Sequence, residues 1–306
     1  MIDVVIVTYN RKPLLFRNLD RLKSSSLIRK VIVVDNASAD GTLREGRVRY
    51  PDVHWIASPA NEGCIAWNRG MEAVRTPWAL ILDDDCFVQD APLEQACAFA
   101  ARTPSIGLAA FNVISEKTGS SEWGATIDGI RTATDWPNAI GACMLTNTQA
   151  FRSVGGYKDF FLCFNDLELV LNLWRNGYRV VFHPDWTACH LGPRPAPSER
   201  RFPYEIRNLL WTAWGHLDTP FCFALTLKFV SAAIFDLSGR HLSEQILRPA
   251  WTGIRKGRRM RDRSKPKVPP HIRRLLFKNL FLSGRTRSLR NRLMPPFQLG
   301  PVKNRD

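Results

Sequence analysis

Residues 78–85 read W-A-L-I-L-D-D-D. The apolar run Ala79–Leu82 leads without polar alternation into three adjacent carboxylates, Asp83, Asp84 and Asp85. An unbroken apolar run is how a strand covered on both faces reads, because neither side of its pleat meets water. Three carboxylates at its exit repel one another, and holding them there is costly unless a cation neutralises them. A solvated acidic turn is the plain alternative, and the buried strand before it argues for the cation. Oxygen donors favour a hard ion such as Mg²⁺, and Mn²⁺ suits equally if an imidazole joins them.

The same pattern recurs on both sides of this stretch. Strand-like runs fall at Val4–Val7, Val31–Asp35, His54–Ala57 and Ile106–Val113, with helical patterns at Pro13–Ser24, Gly63–Val74 and Pro92–Arg102 between them. Alternation of this kind predicts an α/β fold with a mostly parallel, doubly wound sheet and flanking helices. Ligands in such sheets bind at the carboxyl ends of the strands. Three polar groups stand there: Thr8-Tyr9-Asn10-Arg11, Asp35-Asn36-Ala37-Ser38 and the acid triplet. A carboxylate such as Asp35 can accept from a ribose hydroxyl or a pyrimidine N3–H; capping a turn in D-N-A-S-A-D-G-T is its structural alternative. The first strand-to-helix turn lacks G-x-G-x-x-G, which disfavours a dinucleotide cofactor.

Further along, Gly141–Gly156 reads as a turn-rich connection of small residues. Asp166–Asn176 reads as a helix with acids in its first turn and Gly177 past its end, followed by a strand at Tyr178–Phe182. Asp166 and Glu168 are two apart and point to different sides of that helix, so they are not a paired dyad. His190 lies at a strand-like exit before a proline-rich segment, Leu191–Pro203, which reads as a mobile loop or lid. From Tyr204 the pattern is helical and then strongly basic.

The charge is unevenly placed. The chain holds 43 Lys and Arg against 28 Asp and Glu, but from Trp251 onward there are 17 basic residues and only two acids, Asp262 and Asp306. The first 250 residues are therefore formally neutral, which disfavours a globally basic nucleic-acid-binding fold. Seven scattered cysteines without a C-x-x-C pair fit reduced thiols in a cytoplasmic protein, and no signal peptide is read at the N-terminus. The longest apolar stretch, Phe221–Phe235, contains Lys228 and falls short of the ~20 residues a spanning helix needs. In Ile272–Leu282 apolar and basic residues alternate at roughly helical spacing, which suits an anionic membrane face better than nucleic acid or bulk solvent.

Taken in order and spacing, T-Y-N-R, V-V-D-N-A-S-A-D-G-T, N-E-G-C-I-A-W-N-R-G, L-D-D-D-C and G-A-C-M-L resemble the family-2 inverting glycosyltransferases. The later F-N-D-L-E-L, N-G-Y-R-V-V-F-H-P and Y-E-I-R-N look most like the bacterial rhamnosyltransferase and galactofuranosyltransferase branch, and the resemblance runs from about Ile2 to Trp214. It implies a GT-A fold, a nucleoside-diphosphate sugar donor and a divalent metal, Mg²⁺ or Mn²⁺. It places Thr8, Tyr9, Asn10 and Arg11 along the base and diphosphate, Asp35 on the pyrimidine or ribose, and Asn61, Gly63 and Asn68 on the nucleotide side. Asp83 and Asp85 match the D-x-D motif, with Asp84 between them on the donor side, and His190 matches the later metal ligand. Asp166 matches the catalytic base, although many relatives carry an acid where this chain has Asn165. Arg207 is a candidate at the diphosphate, with a structural ion pair as its alternative.

The reading that follows is a metal-dependent glycosyltransferase of bacterial cell-surface polysaccharide synthesis. Its expected donor is dTDP-rhamnose first and a UDP-sugar second; its acceptor is a saccharide or a lipid-linked sugar. The GT-A domain is expected over residues 1–215, nucleotide-binding to about 115 and acceptor-binding from about 116. Residues 216–306 would form a helical, basic extension placing a cytoplasmic protein peripherally on the inner membrane face. A nucleotidyltransferase, or a nucleic-acid-associated protein with an inactive nucleotide-binding domain, are the competing readings.

Overall fold

The computed structural model describes residues 1–191, 201–236 and 243–282. Strand β1 (Ile2–Thr8) runs parallel between β2 (Ile28–Asp35) and β4 (Trp78–Asp83), and β3 (His54–Ala57) extends the parallel set beyond β2. Successive residues of β1 serve opposite faces. Val4 and Ile6 join a core with Leu15, Phe16 and Leu19 of α1 (Lys12–Leu22), whereas Val5 joins Trp67 and Met71 of α3 (Ala66–Ala73). With helices on both sides every position of the strand must be apolar, each buried side chain contributing ~1.5–3 kcal/mol.

The sheet is mixed beyond β4. The expected turn-rich connection contains a strand, β8 (Cys143–Asn147), which inserts antiparallel between β4 and β6 (Ile106–Ser115) and leads into α5 (Thr148–Ser153). Its buried residues, Cys, Met, Leu and Thr, lack the β-branched runs that marked the other strands. α2 (Thr42–Arg49) is likewise unmarked in sequence, because few of its positions are apolar. β9 (Arg179–His190) is longer than the strand expected at Tyr178–Phe182. It pairs parallel with β6 and shifts register where Asn112 donates to the Pro184 carbonyl at 3.0 Å. The sheet order is β3-β2-β1-β4-β8-β6-β9-β5, where β5 is Cys86–Phe87; β7 (Thr134–Asp135) pairs β9.

α4 (Asp90–Ala101) and α6 (Asn165–Arg175) cover opposite faces, and α7 (Phe202–His216) packs beside α6. The helices that follow, α8 (Thr219–Asp236), α9 (Arg248–Met260) and α10 (Pro270–Phe277), join the same core as α6 and α7 through Leu225, Ala250 and Ile272. Among the described residues no helix is long and apolar enough to cross a membrane. Most of the proline-rich segment, residues 192–200, and the last 24 residues lie outside the described ones.

Candidate active site

Parallel register aligns the strand exits. Thr8 lies opposite Asp35, and Val7 lies opposite Asp83, so the three polar groups stand side by side on one edge of the sheet. His190 reaches them from far along the chain because β5 pairs antiparallel with the end of β9, setting Cys86 opposite His190. Ligand atoms of Asp83, Asp85 and His190 all fall within 4.8 Å of one another. Two carboxylates and an imidazole at this spacing fit Mg²⁺ or Mn²⁺, the imidazole favouring the second.

Charge at this cluster is poorly compensated. Desolvation and repulsion from Asp85 and Asp84 hold the Asp83 carboxyl well above the ordinary range. Burial would raise Asp85 too, but the hydrogen bond and charge of His190, with Arg11, outweigh it and lower the group. Burial would lower His190; hydrogen bonds to Asp85 (3.1 Å from Nε2) and Glu122 (2.7 Å from Nδ1) instead raise it to about 10. Asp84 turns inward, accepting from the Thr8 hydroxyl at 2.8 Å and pairing with Arg11 at 2.7 Å. Arg11 also bridges to Asp85.

The first two exits are stitched together. Asn10, left-handed at φ 54°, donates its N–H to the Ser38 hydroxyl and accepts from Ala39 N–H at 2.7 Å. Tyr9 is about half exposed at the mouth. Asp35 is buried, receives Ser38 N–H at 3.2 Å on one oxygen, and has no protein partner on Oδ1. Asn61 accepts from Asn36 Nδ2 (3.0 Å) and Gly63 N–H (3.1 Å). Gly63 sits at φ +60°, where an added Cβ would come within 2.0 Å of the Phe161 carbonyl, so this loop must close onto the 161 loop with glycine. Both amide atoms of Asn68 are committed to the Tyr157 backbone at 2.9 Å.

Asp166 opens α6 on the other side of the cleft. Its carboxyl faces Gly141, where a Cβ would lie 2.7 Å from Oδ2, and it accepts from the Tyr157 hydroxyl (3.2 Å) and Asn165 Nδ2 (3.0 Å). Desolvation raises it to about 6 against the lowering effect of Tyr157 and the Gly141 N–H. A carboxyl near 6 is still ionised at neutral pH and is a better proton acceptor than an ordinary one. Glu168 points away, paired with buried His216 at 2.9 Å.

The loop before Asp166 is strained. Phe161, Cys163 and Phe164 have φ of 66°, 67° and 61°, each unfavourable for a residue with a side chain. Asn208, fully buried, holds it by donating to the carbonyls of Phe160, Leu162 and Cys163 (3.1, 2.7 and 3.1 Å). Arg207 donates to the Phe160 carbonyl at 2.7 Å and stacks over Tyr204. Glu122 and Tyr157 escaped the sequence reading, whereas Asn36 and Asn208 stood in it only as members of D-N-A-S-A-D-G-T and Y-E-I-R-N, with no role of their own.

The profile of glycosyl transferase family 2 matches residues 3–155, half of the chain. Among curated proteins, the N-acetylglucosaminyl-diphospho-decaprenol L-rhamnosyltransferase of Mycobacterium tuberculosis is 24% identical over 233 residues, covering 62% of this chain and 76% of that protein. Among solved structures, a mannosyltransferase from Pyrobaculum calidifontis in complex with GDP-Man and Mn²⁺ superposes with a TM-score of 0.55 at 18% identity, covering 92% of this chain and 87% of its own. S. aureus TarS 1–349 superposes at 0.61 and 15% identity, covering 95% and 88%. GalNAc-T7 with UDP, GalNAc and Mn²⁺ superposes at 0.61 and 15% identity, covering 79% of this chain and 53% of its own. These likenesses identify the fold as that of GT-A glycosyltransferases.

Proposed function

The chain belongs to glycosyl transferase family 2, and from that premise we propose that this glycosyltransferase moves a sugar with inversion from a nucleoside-diphosphate donor to a saccharide or lipid-linked acceptor. The observation that carries the reading is the convergence of Asp83, Asp85 and His190 within 4.8 Å, beside unpaired Asp35 Oδ1. Those three residues would hold a divalent ion, which would supply Lewis-acid stabilisation of the departing diphosphate.

This chain's own groups do the rest. Asp35 Oδ1 accepts from the nucleoside, and Thr8, Tyr9 and Asn10 line the base and diphosphate. Arg11 and Asp84 brace the carboxylates, and Asn61, Gly63, Asn68 and Arg207 act through the loops they hold. Asp166, kept basic by burial, takes the proton of the acceptor hydroxyl as that oxygen bonds to C1. The bond from C1 to the diphosphate oxygen breaks on the opposite face, and its electron pair leaves with the nucleoside diphosphate.

The first donor is dTDP-rhamnose, supported by likeness to a rhamnosyltransferase acting on a decaprenol-linked diphosphate. A UDP-sugar is second, supported by a structural neighbour holding UDP. A lipid-linked acceptor would place the protein peripherally on the inner face of the cytoplasmic membrane. The test is a donor screen with Mg²⁺ or Mn²⁺, reading released nucleoside diphosphate. Release of dTDP only with metal and acceptor is expected; release of pyrophosphate, or turnover unaffected by a chelator, would overturn the reading. Metal and nucleotide together should raise Tm more than either alone, and Asp85→Ala should abolish that synergy.

A further inference from the structure

Among the described residues, five of the eight large hydrophobic side chains that stand exposed, Phe223, Leu227, Leu247, Trp251 and Phe277, lie on the helices after residue 216. The same part of the chain carries the basic surplus. The segment whose sequence suited a membrane, Ile272–Leu282, contributes only Phe277 to this group. Ile272, Leu276 and Leu280, at spacings of four, are buried in the core. The stripe formed by those three residues faces protein, not solvent.

α9 is arranged the other way. Ala250, Gly253 and Gly257 form its buried face and let it lie directly on α7, where a Cβ on Gly253 would meet the Arg207 carbonyl at 2.2 Å and one on Gly257 the Trp211 carbonyl at 2.5 Å. The opposite face runs Leu247, Trp251, Arg255 and Arg258 at spacings of four, four and three, with Arg248 and Arg259 beside them. All six are exposed, Trp251 to 65%. Among the described residues no acid pairs with any of these arginines, and α9 itself contains no acid; the nearest along the chain are Glu244 before it and Asp262 after it.

We infer that this stripe of α9 docks the enzyme on an anionic lipid surface. An exposed indole beside four unpaired guanidiniums combines the side chain favoured at headgroup depth with charges that anionic lipids attract. The placement suits a lipid-linked acceptor, and here the inference rests on the proposed function. α9 lies on α7, and Arg207 of α7 holds Phe160 in the loop leading to Asp166. α9 and α7 thus link the docked face to the loop that precedes Asp166.

Co-sedimentation of the full chain with phosphatidylglycerol/phosphatidylcholine vesicles, against phosphatidylcholine alone, tests it without donor or acceptor. Arg255→Gln/Arg259→Gln should weaken binding to the anionic vesicles about 30-fold, the equivalent of ~1 kcal/mol per surface cation, with Tm unchanged. Trp251→Ala should weaken it further, and Lys265→Gln/Lys267→Gln, the same charge change off the face, should lose far less. Parental binding by the arginine variant, equal loss in the lysine control, or equal binding to neutral vesicles overturns the inference. So does a parent that prefers a DNA duplex to the vesicles, or one whose dimer Trp251→Ala splits. Turnover on a soluble acceptor should be unaltered in the arginine variant. A parent with no transferase activity would sink the proposed function and leave the vesicle result standing.

Discussion

Asp85 and His190 are 105 residues apart and meet because two strands pair, Cys86 opposite His190. Asp166 and Tyr157 are nine apart and meet because a loop with three left-handed residues is held shut by Asn208 and Arg207. The first centre inherits its geometry from backbone register, which many hydrogen bonds fix at once. The second depends on a few side chains and two close approaches at glycine. Substitutions around the proposed ligand cluster should therefore act on binding, and those around Asp166, the proposed base, on turnover.

The sharpest break in that contrast is Asp166→Asn. A general base acts through the transition state, so turnover should fall roughly 10²–10⁴-fold while donor affinity barely changes. Glu168→Gln, on the same helical turn but paired with His216, should stay close to parental. Steady-state kinetics decides it: an Asp166→Asn enzyme with parental turnover would reduce that carboxyl to a helix-start residue.

Glu122 tests the other side. Its carboxylate holds His190 Nδ1 at 2.7 Å and leaves Nε2 facing Asp85. An outer carboxylate of this kind orients a ligating imidazole, and Glu122→Gln should weaken metal binding about 10–100-fold. Calorimetric titration of Mn²⁺ into the nucleotide-bound protein measures it. Unchanged affinity would mean that strand pairing alone sets the ring.

The two centres also differed in how far they could be read from sequence. The apolar runs ending in Thr8, Asp35 and Asp83 announce a parallel sheet and its polar mouth, because burial on both faces forbids polar alternation. β8 escaped because Cys143–Asn147 has neither alternation nor β-branched density, and its antiparallel insertion comes from the space between β4 and β6. Glu122 and Tyr157 escaped for another reason: they meet His190 and Asp166 only through the fold, and spacing along the chain carries no trace of those contacts. The Ile272–Leu282 periodicity was real, but a stripe facing the core and a stripe facing lipid have the same period.

Gly141→Ala should sharpen the contrast at smaller scale. A methyl there would lie 2.7 Å from Asp166 Oδ2, the end of a side chain that can rotate away. Folding should survive with Tm near the parent's, while displacement of the base lowers turnover about tenfold. A variant with parental turnover would show that the base tolerates more than one position.

The smallest effect concerns stability and has a definite sign. Asp166 sits at about 6 in the folded protein against an ordinary 3.8, because burial disfavours its charge. The folded state therefore holds the proton more tightly than the unfolded chain. This group's contribution is fully present below pH ~3.8 and is lost as pH rises through about 6. At neutral pH the parent carries an ionised carboxylate in a partly desolvated place, costing on the order of 1 kcal/mol once its remaining solvent contact is allowed for. Asn cannot ionise. Asp166→Asn should thus gain on the parent between pH 4 and pH 7, becoming the more stable protein where it is the less active one. Below pH 6 the parent's turnover should fall about tenfold per unit as the base is protonated. Urea midpoints of both proteins across that range decide it. A stability gap that does not widen with pH would mean the carboxyl is well solvated, and its raised pKa would no longer account for its basicity.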